Sequence, residues 1–503
     1  MYEPTASASG PTPGSAEGAT PGPGATPAVA RRPRRGDRFQ LRIESIDERG
    51  KGVASREGAL GDVERFLLRN ANPGALVEAE VLSRKGRKID ARVAGVVEPG
   101  PFAAPSRCPH AGVCGGCALP TLDYAEQLRQ KRGIVERALS VAWSAAGLGP
   151  IPDVEDVVPA TELEGYRNKM DFTFGSRRYV LAEEPEGVDA SFGLGLHAPG
   201  LHHKVLDVRS CAIAFDGASD IVNHLRRAAR ERGLAPWDQK VHEGLLRHLV
   251  LRRGARTGET MVDLVTSERA ADLVDPLVEE LLGAFPSLTT VVQNTTTRLS
   301  QVAFGEKEHV LHGPGTIDEV LCGKRFRISA DSFFQTNTAQ AERLFEMVAE
   351  EAAVQPGERL FDVYCGAGTI GISIAPEDVE LVGFESAPSA VRDAQLNAEV
   401  NGASNAMFHE GDVLHTLSAE SARRAPDVLV VDPPRAGLHP KVPAALAALG
   451  APRIVLVSCN PKTGARDLAL LLEEGYSLRS ARPIDLFPHT PHVEVVFGLE
   501  RRR

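Results

Sequence analysis

Apolar and polar residues alternate differently in different parts of this chain. Between residues 36 and 98, short apolar segments at 39–43, 76–81 and 89–96 are separated by glycines and by an Asn-Pro-Gly turn. Residues that alternate with a period of two face opposite sides of a strand, so these segments predict β-strands. Several short strands within so short a stretch are typical of a small β-barrel of the OB type.

The last region, residues 331–503, alternates between strand-like and helix-like segments. Strands are predicted at 359–365, 380–385, 427–432, 453–459 and 493–499, and helices at 368–375, 389–401, 441–449 and 464–474. Such alternation predicts an α/β fold, a doubly wound and mostly parallel sheet. Residues 99–330 predict a mixed α+β domain, with a helix at 122–141 and a strand at 290–294.

Residues 1–35 differ in composition from the rest of the chain. They are rich in Pro, Gly, Ala, Ser and Thr and hold almost no large apolar residue. Such a segment cannot bury enough surface to offset its chain entropy, so it predicts a disordered tail. A tail followed by three domains agrees with the total length of 503 residues.

Charge and hydropathy restrict the partners of the protein. No apolar run approaches the ~20 residues that span a bilayer, and no secretory signal is present. We therefore expect a cytoplasmic monomer without a membrane partner. The net charge of -10 argues against nucleic acid, but binding depends on local clusters of cations. Such clusters lie within 31–38, 84–88 and 247–256.

A glycine-rich loop follows the predicted strand at 359–365. Gly366, Gly368 and Gly371 match the G-x-G-x-x-G pattern, and Glu385 lies at the end of the next strand. Glycines allow a ligand to approach the backbone, and the acid can bind ribose hydroxyls. This arrangement fits either a NAD enzyme or an S-adenosylmethionine enzyme.

The next strand distinguishes these two possibilities. It ends in Asp432-Pro-Pro-Arg435, and proline forces the chain to turn there. In an open parallel sheet the carboxyl ends of strands frame the ligand crevice, so Asp432, Glu385 and Cys459 should meet at one edge. An acid and a cysteine at that edge favour methyl transfer over hydride transfer. An arginine at position 435, where amine methyltransferases carry an aromatic residue, argues against methylation of an exocyclic amine.

Cys459 lies where the predicted strand at 453–459 meets an Asn-Pro turn. Carbon 5 of uracil becomes nucleophilic when a thiolate adds to carbon 6, and a base must later remove the proton from carbon 5. A polar or positive site would favour the thiolate. Glu494, His489 and His492 are candidates for the base, and an apolar surrounding would raise the pKa of Glu494.

The chain has seven cysteines, an odd number that favours metal binding or catalysis over disulfides. Cys108, Cys114 and Cys117 lie in a glycine-rich loop, and Cys211 offers a fourth ligand. One close pair with two outlying cysteines favours a [4Fe–4S] cluster. Zinc stays an alternative because of three nearby histidines, His110, His202 and His203. We interpret the remaining Cys322 and Cys365 as structural.

These residues together resemble the RNA 5-methyluridine methyltransferase family over nearly the whole chain after residue 35. The resemblance includes Ser-Cys-Asn-Pro at 458–461, His-Val-Glu at 492–494, and two further signatures at 166–170 and 332–337. It implies a TRAM domain at 36–98, a central domain at 99–330 and a class I S-adenosylmethionine-dependent methyltransferase domain at 331–503.

The same resemblance implies roles for individual residues. It implies contacts with S-adenosylmethionine for Gln335, Tyr364, Glu385 and Asp432. Cys459 would be the nucleophile and Glu494 the base. The ligands of an iron–sulfur cluster would be Cys108, Cys114, Cys117 and Cys211. The substrate would be a uridine in structured RNA, with ribosomal RNA favoured over transfer RNA.

Two other functions remain open at this point. An iron–sulfur oxidoreductase with a dinucleotide fold would bind NAD rather than S-adenosylmethionine. A non-catalytic RNA-binding protein would depend on the amino-terminal strands and would not need residues 331–503.

Overall fold

The computed structural model describes residues 31–58 and 61–502. Of the predicted disordered tail at 1–35, residues 1–30 lie outside the described part. Four β-sheets and the helices packed on them make up the fold.

The first sheet contains six strands. These are β1 (Arg38–Arg42), β2 (Ser45–Ile46), β3 (Gly52–Glu57), β4 (Val63–Leu68), β5 (Leu76–Lys85) and β6 (Lys88–Glu98). They are hydrogen-bonded in the order β1-β5-β6-β4-β3-β2. Phe66, Val77 and Ile89 lie among the residues that form the small core of this sheet. The strands predicted at 39–43, 76–81 and 89–96 are confirmed, while closure into an OB-type barrel stays a prediction.

The central region has α1 followed by a seven-stranded sheet and a hairpin. Its elements are α1 (Tyr124–Ala146), β7 (Lys169–Gly175), β8 (Gly193–Ala198), β9 (Leu201–Asp207), α2 (Ala218–Glu231), β10 (Leu246–Arg253), β11 (Thr260–Thr266), α3 (Ala271–Ala284), β12 (Thr290–Thr295), β13 (Lys307–His312), β14 (Thr316–Leu321) and β15 (Lys324–Ser329). The sheet has the order β13-β12-β11-β10-β7-β8-β9, and β14 pairs with β15.

The last region forms a second seven-stranded sheet, here called the carboxy-terminal sheet. Its elements are α4 (Thr338–Ala352), β16 (Arg359–Val363), α5 (Thr369–Ile374), β17 (Glu380–Glu385), α6 (Pro388–Val400), β18 (Ala406–Glu410), α7 (Val413–Ser421), β19 (Val428–Val431), α8 (Val442–Ala448), β20 (Arg453–Ser458), α9 (Pro461–Glu473), β21 (Tyr476–Ile484) and β22 (Glu494–Arg501).

The carboxy-terminal sheet has the order β18-β17-β16-β19-β20-β22-β21. The first five of these strands are parallel to one another, and β22 is antiparallel to both of its neighbours. A doubly wound, mostly parallel sheet is therefore confirmed. Sequence periodicity missed α4, β18, α7 and β21, and it placed the start of α9 three residues too late.

Alternate residues of each strand in this sheet enter different cores. Leu360 and Val430 face a core that includes residues of α4 and α6, whereas Phe361 and Val431 face a core built with α1, α8 and α9. This period of two follows from the pleat of a strand. Helix α1 precedes the central sheet in the chain, yet it packs on the carboxy-terminal sheet.

The cluster of cations at 247–256 is only partly a surface feature. Arg247 and Arg252 are buried. Arg247 donates to the carbonyls of Thr296, Arg298 and Ser300, and Arg252 donates to those of Ala330 and Ser332. Because buried guanidinium groups need acceptors, these two arginines hold loops in place. The expectation of a cationic surface at these two positions is wrong.

None of the helices within 31–58 and 61–502 is both long and apolar enough to cross a membrane.

A fully buried ion pair joins α1 to the end of β21. Lys131 Nζ lies 2.5 Å from Asp485 Oδ1, and neither side chain is exposed. Asp485 also accepts from Tyr124 Oη (3.1 Å) and from Phe487 N (2.8 Å). A buried charge is tolerated only when it is paired and hydrogen-bonded, so this contact fixes the position of α1 relative to β21.

We predict that Lys131→Met lowers the free energy of unfolding by about 3–5 kcal/mol, because it leaves the Asp485 carboxylate buried without a cation. A second change, Asp485→Asn, should restore most of the loss, since an uncharged amide still accepts from Phe487 N. Urea unfolding measures both effects. The exposed pair Arg343–Glu346 supplies the control, and Arg343→Met should cost no more than about 1 kcal/mol. Equal losses in Lys131→Met and Arg343→Met would contradict the prediction.

Candidate active site

Five of the predicted site residues lie at one edge of the carboxy-terminal sheet. Tyr364 follows β16, Glu385 ends β17, Asp432 follows β19 and Cys459 follows β20. These strands are parallel, so their carboxyl ends share an edge. Glu494 begins β22, which runs antiparallel to β20 with Val495 opposite Ser458. The register therefore brings Glu494 next to Cys459.

The glycine-rich loop forms the turn between β16 and α5. Gly366 and Gly368 have φ values of 54° and 77°, in the left-handed region that favours glycine. Glu385 Oε2 accepts a hydrogen bond from Gly366 N (3.2 Å), and Glu385 Oε1 accepts from the amides of Ser386 and Ala387. A hydrogen bond thus connects the glycine-rich loop to Glu385, the acid predicted to bind ribose.

Asp362, in the middle of β16, is a site residue that the sequence analysis missed. Its Oδ2 accepts from Gly371 N (2.8 Å), and a side chain at position 371 would collide with it. Burial raises the pKa of Asp362 to about 7. Burial and the nearby Asp362 charge likewise raise the pKa of Asp432 to about 7. The sequence feature that could have identified Asp362 is an acidic residue inside an otherwise apolar strand.

Gln335 lies in the segment before α4, where two sequence signatures meet. Asn168, from the signature at 166–170, donates from Nδ2 to Gln335 O (3.0 Å) and from its amide to Thr336 O (2.9 Å). Asn337 Nδ2 donates to Leu486 O (3.0 Å). The segment is thereby connected to the loop before Glu494. Among residues 31–58 and 61–502, no hydrogen bond joins Gln335 to Cys459.

The Ser-Cys-Asn-Pro run is the turn between β20 and α9. Asn460 is the N-cap of α9, and its side chain accepts from Lys462 N (3.2 Å). Pro461 is the first helical residue, where no backbone N–H is needed. Asn460 Nδ2 also donates to Arg435 O (3.0 Å), so the Pro-Pro-Arg turn is fixed against this helix end. Cys459 is held by secondary structure on both sides.

The electrostatic surroundings of Cys459 differ from the expected positive site. Burial, followed by the charges of Glu494 and Asp432, raises the pKa of the Cys459 thiol to about 12. Arg435 is the cation that acts in the opposite direction. Cys459 therefore holds its proton at neutral pH in the free protein, and a bound ligand or a base has to assist its ionisation.

Glu494 is the strongest of the three candidate bases. Burial and the Asp432 charge raise the pKa of Glu494 to about 8. Burial and the nearby Arg435 lower the pKa of His492 to about 4, and Arg435 Nη2 donates to His492 Nδ1 (3.3 Å). Burial also lowers the pKa of His489. Of the three, Glu494 is the group whose pKa is raised, and a pKa of about 8 suits a general base near neutral pH.

The loop at 485–493, which leads into Glu494, is anchored by the central region. Tyr166 Oη donates to Pro488 O (3.0 Å), and Gln127 Oε1 accepts from His489 N (2.8 Å). His489 has φ 66°, an uncommon conformation for a residue with a side chain. These contacts, together with the Lys131–Asp485 pair, determine where Glu494 starts its strand. Sequence reasoning had no signal for them, because the partners are far apart in the chain.

The four predicted cysteine ligands line one cavity of about 70 Å³ beside His489, namely Cys108, Cys114, Cys117 and Cys211. Burial and the neighbouring cysteines raise the pKa of Cys117 to about 12. Burial likewise raises the pKa of Cys114 to about 11. Leu119 N, close to Cys117 in the chain, donates to His489 O (2.9 Å). The cysteine loop thus contacts the loop that carries Glu494.

The histidines proposed for a zinc site are not available as a set. His202 and His203 lie exposed on β9 and do not line the cysteine cavity. His110 lines it, but its Nε2 accepts from Arg209 N (3.1 Å). Within residues 31–58 and 61–502, no three Cys, His, Asp or Glu side chains are arranged for a single metal ion. The expectation that these three histidines support zinc is wrong.

Comparison with known proteins identifies the family of this chain. The family model for tRNA (uracil-5-)-methyltransferase matches residues 284–502. An RNA methyltransferase of Chlorobaculum tepidum is 39% identical over 476 residues, covering 93% of this chain and 97% of that protein. One of Caldanaerobacter subterraneus is 37% identical and covers 93% of this chain and 99% of its own length.

A solved structure has the same architecture. The tRNA (uracil-54, C5)-methyltransferase of Pyrococcus abyssi, in complex with S-adenosyl-L-homocysteine, is similar with a TM-score of 0.71 and 29% identity. The similarity covers 92% of this chain and all of that one. It supports the class I methyltransferase fold for the carboxy-terminal sheet. By these similarities, and by the residues at its strand edge, the chain belongs to the RNA (uracil-5-)-methyltransferase family.

Proposed function

We propose that this protein transfers the methyl group of S-adenosylmethionine to carbon 5 of a uridine in RNA, through a covalent adduct with Cys459. The observation that carries the proposal is the register of β20 and β22, which places Glu494 beside Cys459. A thiol and a carboxyl with a pKa of about 8, side by side at a strand edge, are the two groups that this reaction needs. Family membership favours methyl transfer over the oxidoreductase and the non-catalytic alternatives.

The reaction proceeds by addition and elimination. The Cys459 thiol first releases its proton to water, and the thiolate adds to carbon 6 of the uracil ring. The electrons of the 5,6 double bond then move to carbon 5 and the carbonyl oxygen on carbon 4. Carbon 5 then bonds to the methyl carbon, and S-adenosylhomocysteine leaves. Glu494 removes the proton from carbon 5, the double bond forms again and the thiolate departs. The uridine has to leave its base stack to reach Cys459.

S-Adenosylmethionine supplies the electrophilic methyl group in this scheme. Its binding residues would be Gln335, Tyr364, Glu385 and Asp432. Glu385 lies beside the glycine loop, where a carboxylate can accept from ribose hydroxyls. Asp432 lies at the same strand edge as Cys459, which suits a donor bound between them. A positively charged sulfur near these acids would also favour their ionised forms.

The first sheet is proposed to act as a TRAM domain that holds the RNA backbone. Its β5–β6 turn carries exposed Arg87 and Lys88, as an electrostatic contact with phosphates requires. We propose ribosomal RNA as the substrate because the cysteine loop resembles that of the cluster-bearing branch of the family. The Pyrococcus abyssi relative is by name a transfer RNA enzyme, so both RNAs belong in the assay.

The cysteine cavity is proposed to hold a [4Fe–4S] cluster. Burial and the neighbouring cysteines raise the pKa of Cys114 and Cys117, so their thiolates are unfavourable without a cation, and iron would compensate their charge. The four cysteines line one cavity, and cysteine thiolates are the usual ligands of such a cluster. No electron transfer occurs in the proposed reaction, so the cluster would serve to hold the loop.

The function is tested with methyl-labelled S-adenosylmethionine and unmodified ribosomal and transfer RNA, followed by nucleoside digestion. We expect label in 5-methyluridine alone, and Cys459→Ala should reduce it at least about a thousandfold, since the nucleophile is removed. Cys322→Ala, in the turn between β14 and β15, is the matched control and should keep normal turnover. Label in other nucleosides, or full activity of Cys459→Ala, would refute the proposal.

Glu494→Gln should accumulate a covalent protein–RNA adduct, because the proton on carbon 5 is no longer removed. A band that resists denaturation on a gel measures it. Glu500→Gln, at the other end of β22, should form none. In the wild-type enzyme the adduct should decay faster as the pH rises towards about 8, because the carboxylate form of Glu494 is the base. A decay rate that is constant between pH 6 and 8 would exclude Glu494 from this role.

Anaerobically purified protein should contain about four iron atoms and four acid-labile sulfides per chain. Cys114→Ser and Cys117→Ser should each lose most of this iron, whereas Cys322→Ser should retain it. Metal and sulfide analysis measures the content. One zinc per chain without sulfide would contradict the cluster.

A further inference from the structure

A groove of about 850 Å³ runs beside the catalytic cysteine. One end of it is lined by Asn460 and Pro461, the two residues that follow Cys459. Its walls come from three distant parts of the chain: the first sheet, with β4 and β6, helix α1, and helix α9 along its whole length. We call this space the basic groove.

Five cations line the basic groove, and one of them, Arg466, is paired with Asp467. Arg65 from β4, Lys88 from β6, Arg137 from α1 and Lys462 from α9 all line it and are exposed. Within residues 31–58 and 61–502, none of the four has a carboxylate within 4 Å, although many other cations of the molecule are paired.

The acids of the groove compensate only part of this charge. Three of its lining residues are acidic, namely Asp47, Glu48 and Glu473. Asp47 is buried, and its Oδ1 already accepts from the amides of Arg49 and Lys51. Burial and the like charge of Arg65 lower the pKa of Arg137, although Glu136, Glu48 and Asp47 act in the opposite direction. In a protein of net charge -10, such a cluster needs an anion.

The remaining wall of the groove is apolar. Ala138, Val141 and Ala142 of α1 face it, and Val141 is largely exposed. Cations on the rim with an apolar wall between them suit a polymer that has both charged and uncharged surfaces. A sugar–phosphate chain with its bases has both, and the same combination is used to bind single strands elsewhere.

We propose that the basic groove binds the single RNA strand that continues from the uridine at Cys459, with its phosphates on Arg65, Arg137 and Lys462. This inference rests on the proposed function, because it takes the uridine at Cys459 as the starting point of the strand. RNA binding in the basic groove would account for the convergence of the first sheet, α1 and α9 at this place. The groove extends the RNA contact from the β5–β6 turn to the catalytic cysteine.

The test compares two triple variants of the full-length protein. In the first, Arg65→Gln, Arg137→Gln and Lys462→Gln remove one cation from each wall. In the control, Arg423→Gln, Arg424→Gln and Arg502→Gln remove three exposed cations near the amino ends of β16 and β20, opposite the Cys459 edge. The probe is a fluorescein-labelled oligouridylate of about 12 nucleotides, and fluorescence anisotropy gives its affinity at several salt concentrations.

The groove variant should bind the probe at least about tenfold more weakly than the control variant at low salt. Each lost phosphate contact should reduce the slope of log affinity against log salt by about 0.7, so three should reduce it by about 2. Thermal stabilisation by S-adenosylhomocysteine should be equal in both variants. Affinity and slope equal to those of the control variant would overturn the assignment of the groove to RNA. The same equality is expected if the groove binds a protein partner.

Methylation by the wild-type enzyme separates this inference from the proposed function. If the wild-type enzyme forms no 5-methyluridine, the proposed function fails. If it forms 5-methyluridine but the groove variant binds the probe as the control does, only the groove assignment fails.

Discussion

The antiparallel pairing of β22 with β20 is the constraint on which the candidate site depends. Cys459 leaves the carboxyl end of β20, and Glu494 opens β22, so an antiparallel ladder puts them side by side. Had β22 run parallel to β20, its first residue would lie at the opposite edge, about 20 Å away for a strand of six residues. A single reversed strand therefore brings a carboxyl from the end of the chain to the cysteine.

That strand needs support at its start, and the support comes from outside the carboxy-terminal sheet. Gln127 and Lys131 of α1 hold the loop before Glu494 by hydrogen bonds and a buried ion pair. The cysteine loop contacts the same segment through the backbone of His489. Burial then raises the pKa of Glu494, because the low-dielectric surroundings disfavour its charged form. Position and protonation of this carboxyl thus have one origin, which is its close packing.

Much of the carboxy-terminal sheet could be predicted, since its strands β16, β17, β19 and β20 are buried apolar runs next to recognisable turns. β21 was not predicted because Arg479 and Arg482 interrupt its apolar pattern. These two arginines pair with Glu351 of α4 only in the folded protein. The arginines at 247 and 252 look like surface cations in sequence, yet they are buried donors to distant carbonyls. Local composition does not reveal a partner that is far away in the chain.

The sequence by itself determined the α/β alternation, the glycine loop and the identity of the groups at the strand ends, because these depend on neighbouring residues and on local backbone geometry. It also supplied the candidate pair Cys459 and Glu494. Only the tertiary structure decided that these two lie together, that Asp362 joins the buried acids, and that α1 braces the loop before β22. Those outcomes depend on strand order and on burial, which arise when segments that are distant in the chain pack against each other.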